Sequence, residues 1–169
     1  MRSVLRVLVA VTSFLTVCSP ALAGPPSQPS QPSHSAVTSH SATGDLAYVE
    51  HLLYGVSLWQ FGIASAWGDR WFDWTNDGCS APIVGGTGRS FDFRAACARH
   101  DFGYRNLRLL ERRYGGSGVF WNRSSRHRVD DQLLADMRHH CAGRAWWDRP
   151  TCEAWAFTFY AAVRVAGGP

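Results

Sequence analysis

Lysine is absent from the chain: all 17 basic residues are arginine, set against 13 acidic residues. The resulting positive charge is too mild and too dispersed to support nucleic-acid binding. A weak preference for anionic surfaces is all that it carries. A Gly-x-Ser-x-Gly elbow is also missing, which removes the usual serine nucleophile. Gly85-Gly86-Thr87-Gly88-Arg89-Ser90 has the glycines of a phosphate loop but neither its lysine nor a preceding buried strand, so it reads as a connection. Long apolar runs are lacking too. The longest, Val7 to Val17, falls short of the ~20 residues that a bilayer span needs. Strand-like alternation and internal repeats are absent, which leaves helix as the regular structure available.

What is present begins with an export signal. Arg2 and Arg6 precede the apolar run, and Ala21-Leu22-Ala23 provides a small-residue cleavage site before Gly24. The competing lipoprotein reading, Leu15-Thr16-Val17-Cys18, puts a bulky valine before the cysteine, so cleavage after about Ala23 is favoured. Removing residues 1–23 takes away Cys18 and leaves four cysteines, an even number. In a small exported protein this implies two disulfides, with three pairings open. Residues 24–44 are rich in Pro, Ser and His and almost free of apolar side chains, as a disordered leader would be. The remaining 45–169 suit one domain.

Within that domain, Leu46, Val49, Leu52, Leu53, Val56 and then Phe61 or Ile63 recur at helical spacing. Asp45 is placed to cap this helix, and Gly55 or Gly62 to break it. Trp67 to Ser90 has aromatic and then loop chemistry. Helix is predicted again from Asp92 or Arg94 to Tyr114, stopped by Gly115-Gly116. A third helix, capped by Ser124 or Ser125, carries Val129, Leu133, Leu134 and Met137 and ends near Cys141-Ala142-Gly143. A fourth starts near Thr151, with Glu153 in its first turn, and turns Trp155, Phe159, Ala162 and Val163 inward. The expected fold is all-α: a small disulfide-stabilised helical domain of four to five helices, with two long antiparallel helices carrying the site.

Three places carry candidate chemistry. Cys97-Ala98-Arg99-His100-Asp101-Phe102-Gly103-Tyr104-Arg105-Asn106 sets a base-capable imidazole beside a metal-capable carboxylate. Residues three and four apart share a helix face, so Cys97 lies beneath both His100 and Asp101, which splay apart above it. Asp130 falls on the otherwise apolar stripe of Leu134, Met137 and Cys141. There it either pairs with a neighbouring helix's histidine or complements the helix dipole near the first turn. Asp77-Gly78 offers one carboxylate and one easily oriented carbonyl, the oxygen donors that calcium takes, or else forms a plain turn. His139-His140-Cys141 is a poor zinc site, because adjacent histidines point apart on a helix.

The ten-residue stretch from Cys97 to Asn106, with Asp77-Gly78-Cys79 before it and Arg128-Val129-Asp130 after it, closely resembles the secreted phospholipases A2 of bacteria and fungi. The resemblance covers roughly residues 72–163. It implies His100 as catalytic base with Asp130 as its partner, and Asp77, Asp101 and the Gly78 carbonyl as ligands of Ca²⁺. It also implies the bridges Cys79–Cys97 and Cys141–Cys152. Family members often carry a bulkier apolar residue at position 78, and the segment from Leu109 to His127 is longer here than in compact members.

The residue types suit that chemistry. Histidine side chains titrate near neutrality and serve as general bases, and a carboxylate on the second ring nitrogen fixes the tautomer. Calcium can polarise an ester carbonyl, and no covalent enzyme intermediate is needed. The expectation is a monomeric, secreted, Ca²⁺-dependent enzyme cleaving the sn-2 ester of glycerophospholipids at a membrane or micelle surface. Trp67, Trp71, Phe72, Trp74, Phe120, Trp121, Trp146 and Trp147 are candidates to meet that surface. The alternatives are a catalytically silent membrane-binding or toxin-like module, or a disulfide-stapled structural protein in which these residues are only caps and pairs.

Overall fold

Helical periodicity becomes five α-helices in the computed structural model, which describes residues 40–79 and 91–166. The expected signal, the leader up to Ser39 and the glycine-rich connection at 80–90 lie outside the described residues. Helix α1 (Ala42–Glu50) continues into a π-helical turn (His51–Gly55). Then come α2 (Leu58–Ala66), α3 (Arg94–Tyr114), α4 (Arg123–Ala142) and α5 (Arg149–Ala166). No strand occurs among the described residues.

Several helix starts differ from those expected. Ser41, not Asp45, caps α1 by accepting from Gly44 N, so the helix begins three residues before the expected leader boundary. Asp45 is instead buried, taking hydrogen bonds from Trp71 Nε1 (2.6 Å) and Tyr114 Oη (2.9 Å) and lying 2.8 Å from His40 Nδ1. The first break falls at Val56-Ser57, directly after Gly55 and so near one of the two expected places, and Ser57 and Gln60 form a capping box for α2. Asn122 caps α4 through a box with Ser125, because its extended backbone points its amide at the first turn. Helix α5 begins at Arg149, so Thr151 lies inside it. Its buried face is Cys152, Ala156 and Phe159, with Trp155 at the exposed edge.

Long-range contacts set the order of packing. Arg99 faces Asp136 while Gly103 faces Val129, so α3 and α4 run antiparallel. Arg138 faces Glu153 while Asp131 meets Tyr160, so α4 and α5 are antiparallel too. Disulfides join Cys79 to Cys97 and Cys141 to Cys152. The first ties the loop before α3 to that helix, and the second staples α4 to α5. One core lies around Phe93, Cys97, Met137 and Phe159. The other packs Leu53, Phe61, Phe102 and Leu110 beneath α1 and α2.

Candidate active site

Gly103 brings the two long helices together at the site. A Cβ there would lie 2.8 Å from Val129 Cγ1 and 2.9 Å from Leu53 Cδ2, so α3 approaches more closely than any side chain would allow. Val129 precedes Asp130, and the close approach sets His100 Nε2 at 3.0 Å from Asp130 Oδ1. Asp130 is fully buried, two turns inside α4, so it serves as a partner and not as a first-turn dipole complement. A carboxylate only accepts, so Nε2 carries the proton and Nδ1 is left as the basic nitrogen. Nδ1 lies 4.0 Å from Asp101 Oδ1, beyond hydrogen-bond reach.

Tyr104 falls one turn after His100 and donates to the same Asp130 oxygen at 2.6 Å, its ring against the imidazole. Burial, reinforced by the Asp130 bond and charge, pushes its phenol well above the ordinary range, so it stays a donor.

On the other side of α3, Asp101 Oδ2 accepts the backbone N–H of Asp77 at 2.9 Å. Burial and then the nearby Asp77 charge raise the Asp101 pKa, outweighing that hydrogen bond. The Asp101 carboxylate is half-buried and that of Asp77 is exposed, and a cation between them would offset their repulsion. Gly78 (φ +68°) turns the chain here through the left-handed region that glycine adopts freely. Cys79 follows at φ +76°, a costly conformation for a side-chain residue, retained because Cys97 holds it covalently.

Asn106, fully buried, fastens the start of this loop. It accepts from Asp73 N and donates to Asp73 O and Phe102 O. Arg99, also buried, donates to the Leu53 and Val56 carbonyls left open where the π-helical turn ends, and it pairs with Asp136 at 3.3 Å.

Sequence reasoning assigned no role to Tyr104, Arg99, Asn106 or Arg164. The first three stand within the motif, and the spacing of Tyr104 four residues after His100 was a usable signal. Arg164 carried none.

The donor set suits a hard cation. Among the described residues no three His, Cys, Asp or Glu side chains cluster as a metal site. A cation at Asp77 and Asp101 would therefore be completed by backbone carbonyls and water, as calcium is. The four described cysteines are bonded in pairs, which commits Cys141 to Cys152, and His140 packs edge-on against Phe93.

The described residues form a disulfide-stapled, all-helical domain with a buried His–Asp pair near the Asp77 and Asp101 carboxylates, an arrangement suited to activating water for hydrolysis. The family model for prokaryotic phospholipase A2 matches residues 49–167. A secretory phospholipase A2 of Arthroderma benhamiae is 32% identical over 125 residues, 72% of this chain and 78% of that protein. A secretory phospholipase A2 of Beauveria bassiana is 36% identical over 96 residues, 57% of this chain and 44% of that protein. The chain belongs to the prokaryotic phospholipase A2 family and is a phospholipid-hydrolysing enzyme.

Proposed function

We propose that this enzyme is secreted and Ca²⁺-dependent, and that it hydrolyses the sn-2 ester of glycerophospholipids. The observation that carries this reading is the His100–Asp130 pair at 3.0 Å, with the second imidazole nitrogen beyond hydrogen-bond reach of Asp101 and two carboxylates alongside. His100 Nδ1 takes a proton from the attacking water, and the proton later passes to the leaving alkoxide. Asp130 holds the ring in the tautomer that makes Nδ1 the base, and its charge stabilises the imidazolium that forms. Tyr104 keeps the Asp130 carboxylate from rotating. Asp77, Asp101 and the Gly78 carbonyl would hold Ca²⁺, which when bound supplies charge to polarise the ester carbonyl and bind the phosphate.

Only some of the aromatics expected at the lipid surface are exposed. Phe72 and Phe120 are buried, and Trp71, Trp74 and Trp121 are half-buried. Trp67, Trp146 and Trp147 are exposed, and Trp59 and Ile63 join them. Trp59 and Ile63 stand four residues apart on α2, and Trp67 follows as the residue that ends the helix, so three exposed apolar side chains lie along and just past it. Other α2 residues, Phe61, Gly62 and Ser65, line a groove together with Asn76, Arg94 and Ala98. Exposed amphipathic indoles of this kind fit the headgroup region of a phospholipid layer.

Two disulfides and the relatives' names favour secretion, with cleavage after about Ala23. No helix among the described residues is long and apolar enough to cross a membrane.

Fatty-acid release from phosphatidylcholine vesicles is expected to require Ca²⁺ and to stop with chelator. His100→Gln should lower it by ~10²–10⁴-fold. Asp77→Ala should mainly weaken Ca²⁺ binding, and Asp130→Asn should slow turnover while Ca²⁺ still binds. Activity that survives chelation, or survives in His100→Gln, would sink this mechanism. Positional analysis of products from one mixed-chain phospholipid tests the sn-2 assignment.

A further inference from the structure

The His100–Asp130 pair leaves one carboxylate oxygen unaccounted for. Oδ1 takes hydrogen bonds from both His100 and Tyr104, while Oδ2 is buried with no hydrogen-bond partner among the described residues. Opposite it, 3.8 Å away, stands Nη1 of Arg164 from α5, which is likewise buried and without a hydrogen bond. Two opposite charges, each costly to bury unpaired, therefore face each other across a short gap. The gap is too narrow for a bridging water, whose two hydrogen bonds of ~2.8 Å span more than 4 Å. A movement of ~1 Å closes it into a direct charge-assisted hydrogen bond.

The surroundings keep Arg164 at this place. Its guanidinium lies 5.5 Å from the Tyr160 ring, one turn earlier, and Tyr160 Oη donates to Asp131 at 2.9 Å. Neighbouring residues of α4 are thus gripped by successive turns of α5, whose other end is stapled by Cys141–Cys152.

We propose that Arg164 is a positioning residue of the active site, acting through Asp130. It holds Oδ2, which fixes the carboxylate plane and with it the imidazole that Oδ1 orients. The site is then completed by a third helix, α5, that carries neither the base nor the carboxylates of the cation site. This rests on the roles proposed above for His100 and Asp130.

The test is a double-mutant cycle in the full chain, with kcat and KM measured on phosphatidylcholine vesicles and thermal stability measured alongside. Arg164→Ala is expected to lower kcat ~10-fold or more, since small misplacements of catalytic groups slow chemistry steeply. KM and Ca²⁺ affinity should hold, and Arg164→Lys should recover part of the loss. Arg164→Gln, which keeps the packed stem, covers the case in which the alanine variant folds poorly. In an Asp130→Asn background the Arg164 substitutions should cost less than 2-fold, because the charged oxygen they serve is gone. Equal losses in both backgrounds would mean a merely structural role and overturn the proposal. So would an unchanged kcat, or an effect confined to KM. Activity surviving in His100→Gln would instead refute the catalytic assignment itself.

Discussion

Gly103→Ala probes the contact on which the active site depends. Alanine is the better helix former by ~1 kcal/mol, so on propensity alone the change should stabilise α3. The added Cβ, however, would stand 2.8 Å from Val129 Cγ1, 2.9 Å from Leu53 Cδ2 and 3.2 Å from Val129 Cγ2. Carbon atoms prefer ~3.5–4.0 Å, so the overlap approaches ~1 Å. Val129 cannot retreat, since it is fully buried and valine is stiff at χ1 in a helix, whereas the longer Leu53 side chain can turn at its end. Overpacking of this kind costs ~1–3 kcal/mol, which leaves a net loss of ~1 kcal/mol after the propensity gain. For a domain of this size that is a fall in Tm of roughly 4 °C.

The catalytic effect should be larger. Relief of the overlap pushes apart the turns bearing His100 and Asp130, and a few tenths of an ångström stretches their 3.0 Å bond toward the limit of hydrogen bonding. A displacement approaching 1 Å would cost up to ~10²-fold in rate. Denaturant unfolding gives the stability change, and initial rates of fatty-acid release well below Tm give the activity. In a Val129→Ala background, where only the longer Leu53 side chain must give way, the same Gly103→Ala change should become nearly neutral. A Gly103→Ala enzyme more stable than the wild type with unchanged kcat would refute the close-approach reasoning.

Two further outcomes are expected. Glu111 accepts four backbone N–H bonds, from Gly116, Gly118, Phe120 and Trp121, and so folds the loop ahead of α4. The bonds from Phe120 and Trp121, with smaller contributions from the glycines, hold its carboxyl at about 2, well below the ordinary glutamate range. Because the folded pKa is depressed, this stabilisation is fully present above pH ~4.5 and is lost as pH falls toward 2. The Tm gap between wild type and Glu111→Gln should therefore be constant at pH 5–7 and close progressively below pH 4.5. A gap that stays constant at pH 3 would contradict the assignment. Trp59→Ser with Trp67→Ser should weaken binding to phosphatidylcholine vesicles by ~10-fold or more per residue, given ~1.5–3 kcal/mol for burying a large apolar side chain. Hydrolysis of a dispersed short-chain phospholipid should be unaffected, and equal losses on both substrates would argue against an interfacial role.

The all-helical class, the loop chemistry of residues 67–79, the limits of α3 and the end of α4 were legible in the sequence because they rest on local rules. Apolar residues repeat at the helical period, and Gly115-Gly116 stops α3 without help from the rest of the chain. The motif from Cys97 to Asn106 likewise shows by itself that His100 and Asp101 splay to different sides of one helix. Caps were less legible, since Ser41, Asn122 and the start at Arg149 depend on backbone direction among several polar residues of equal promise. What only the tertiary structure decided is pairing across distance. Asp45 is a buried acceptor for Trp71 and Tyr114 and not a cap, Phe72 and Phe120 are core while Trp59 is surface, and Arg164 faces Asp130 from a third helix. A polar side chain's partner and an aromatic ring's exposure are set by whichever helix packs over it, and that is decided by the fit of surfaces such as Gly103 against Val129.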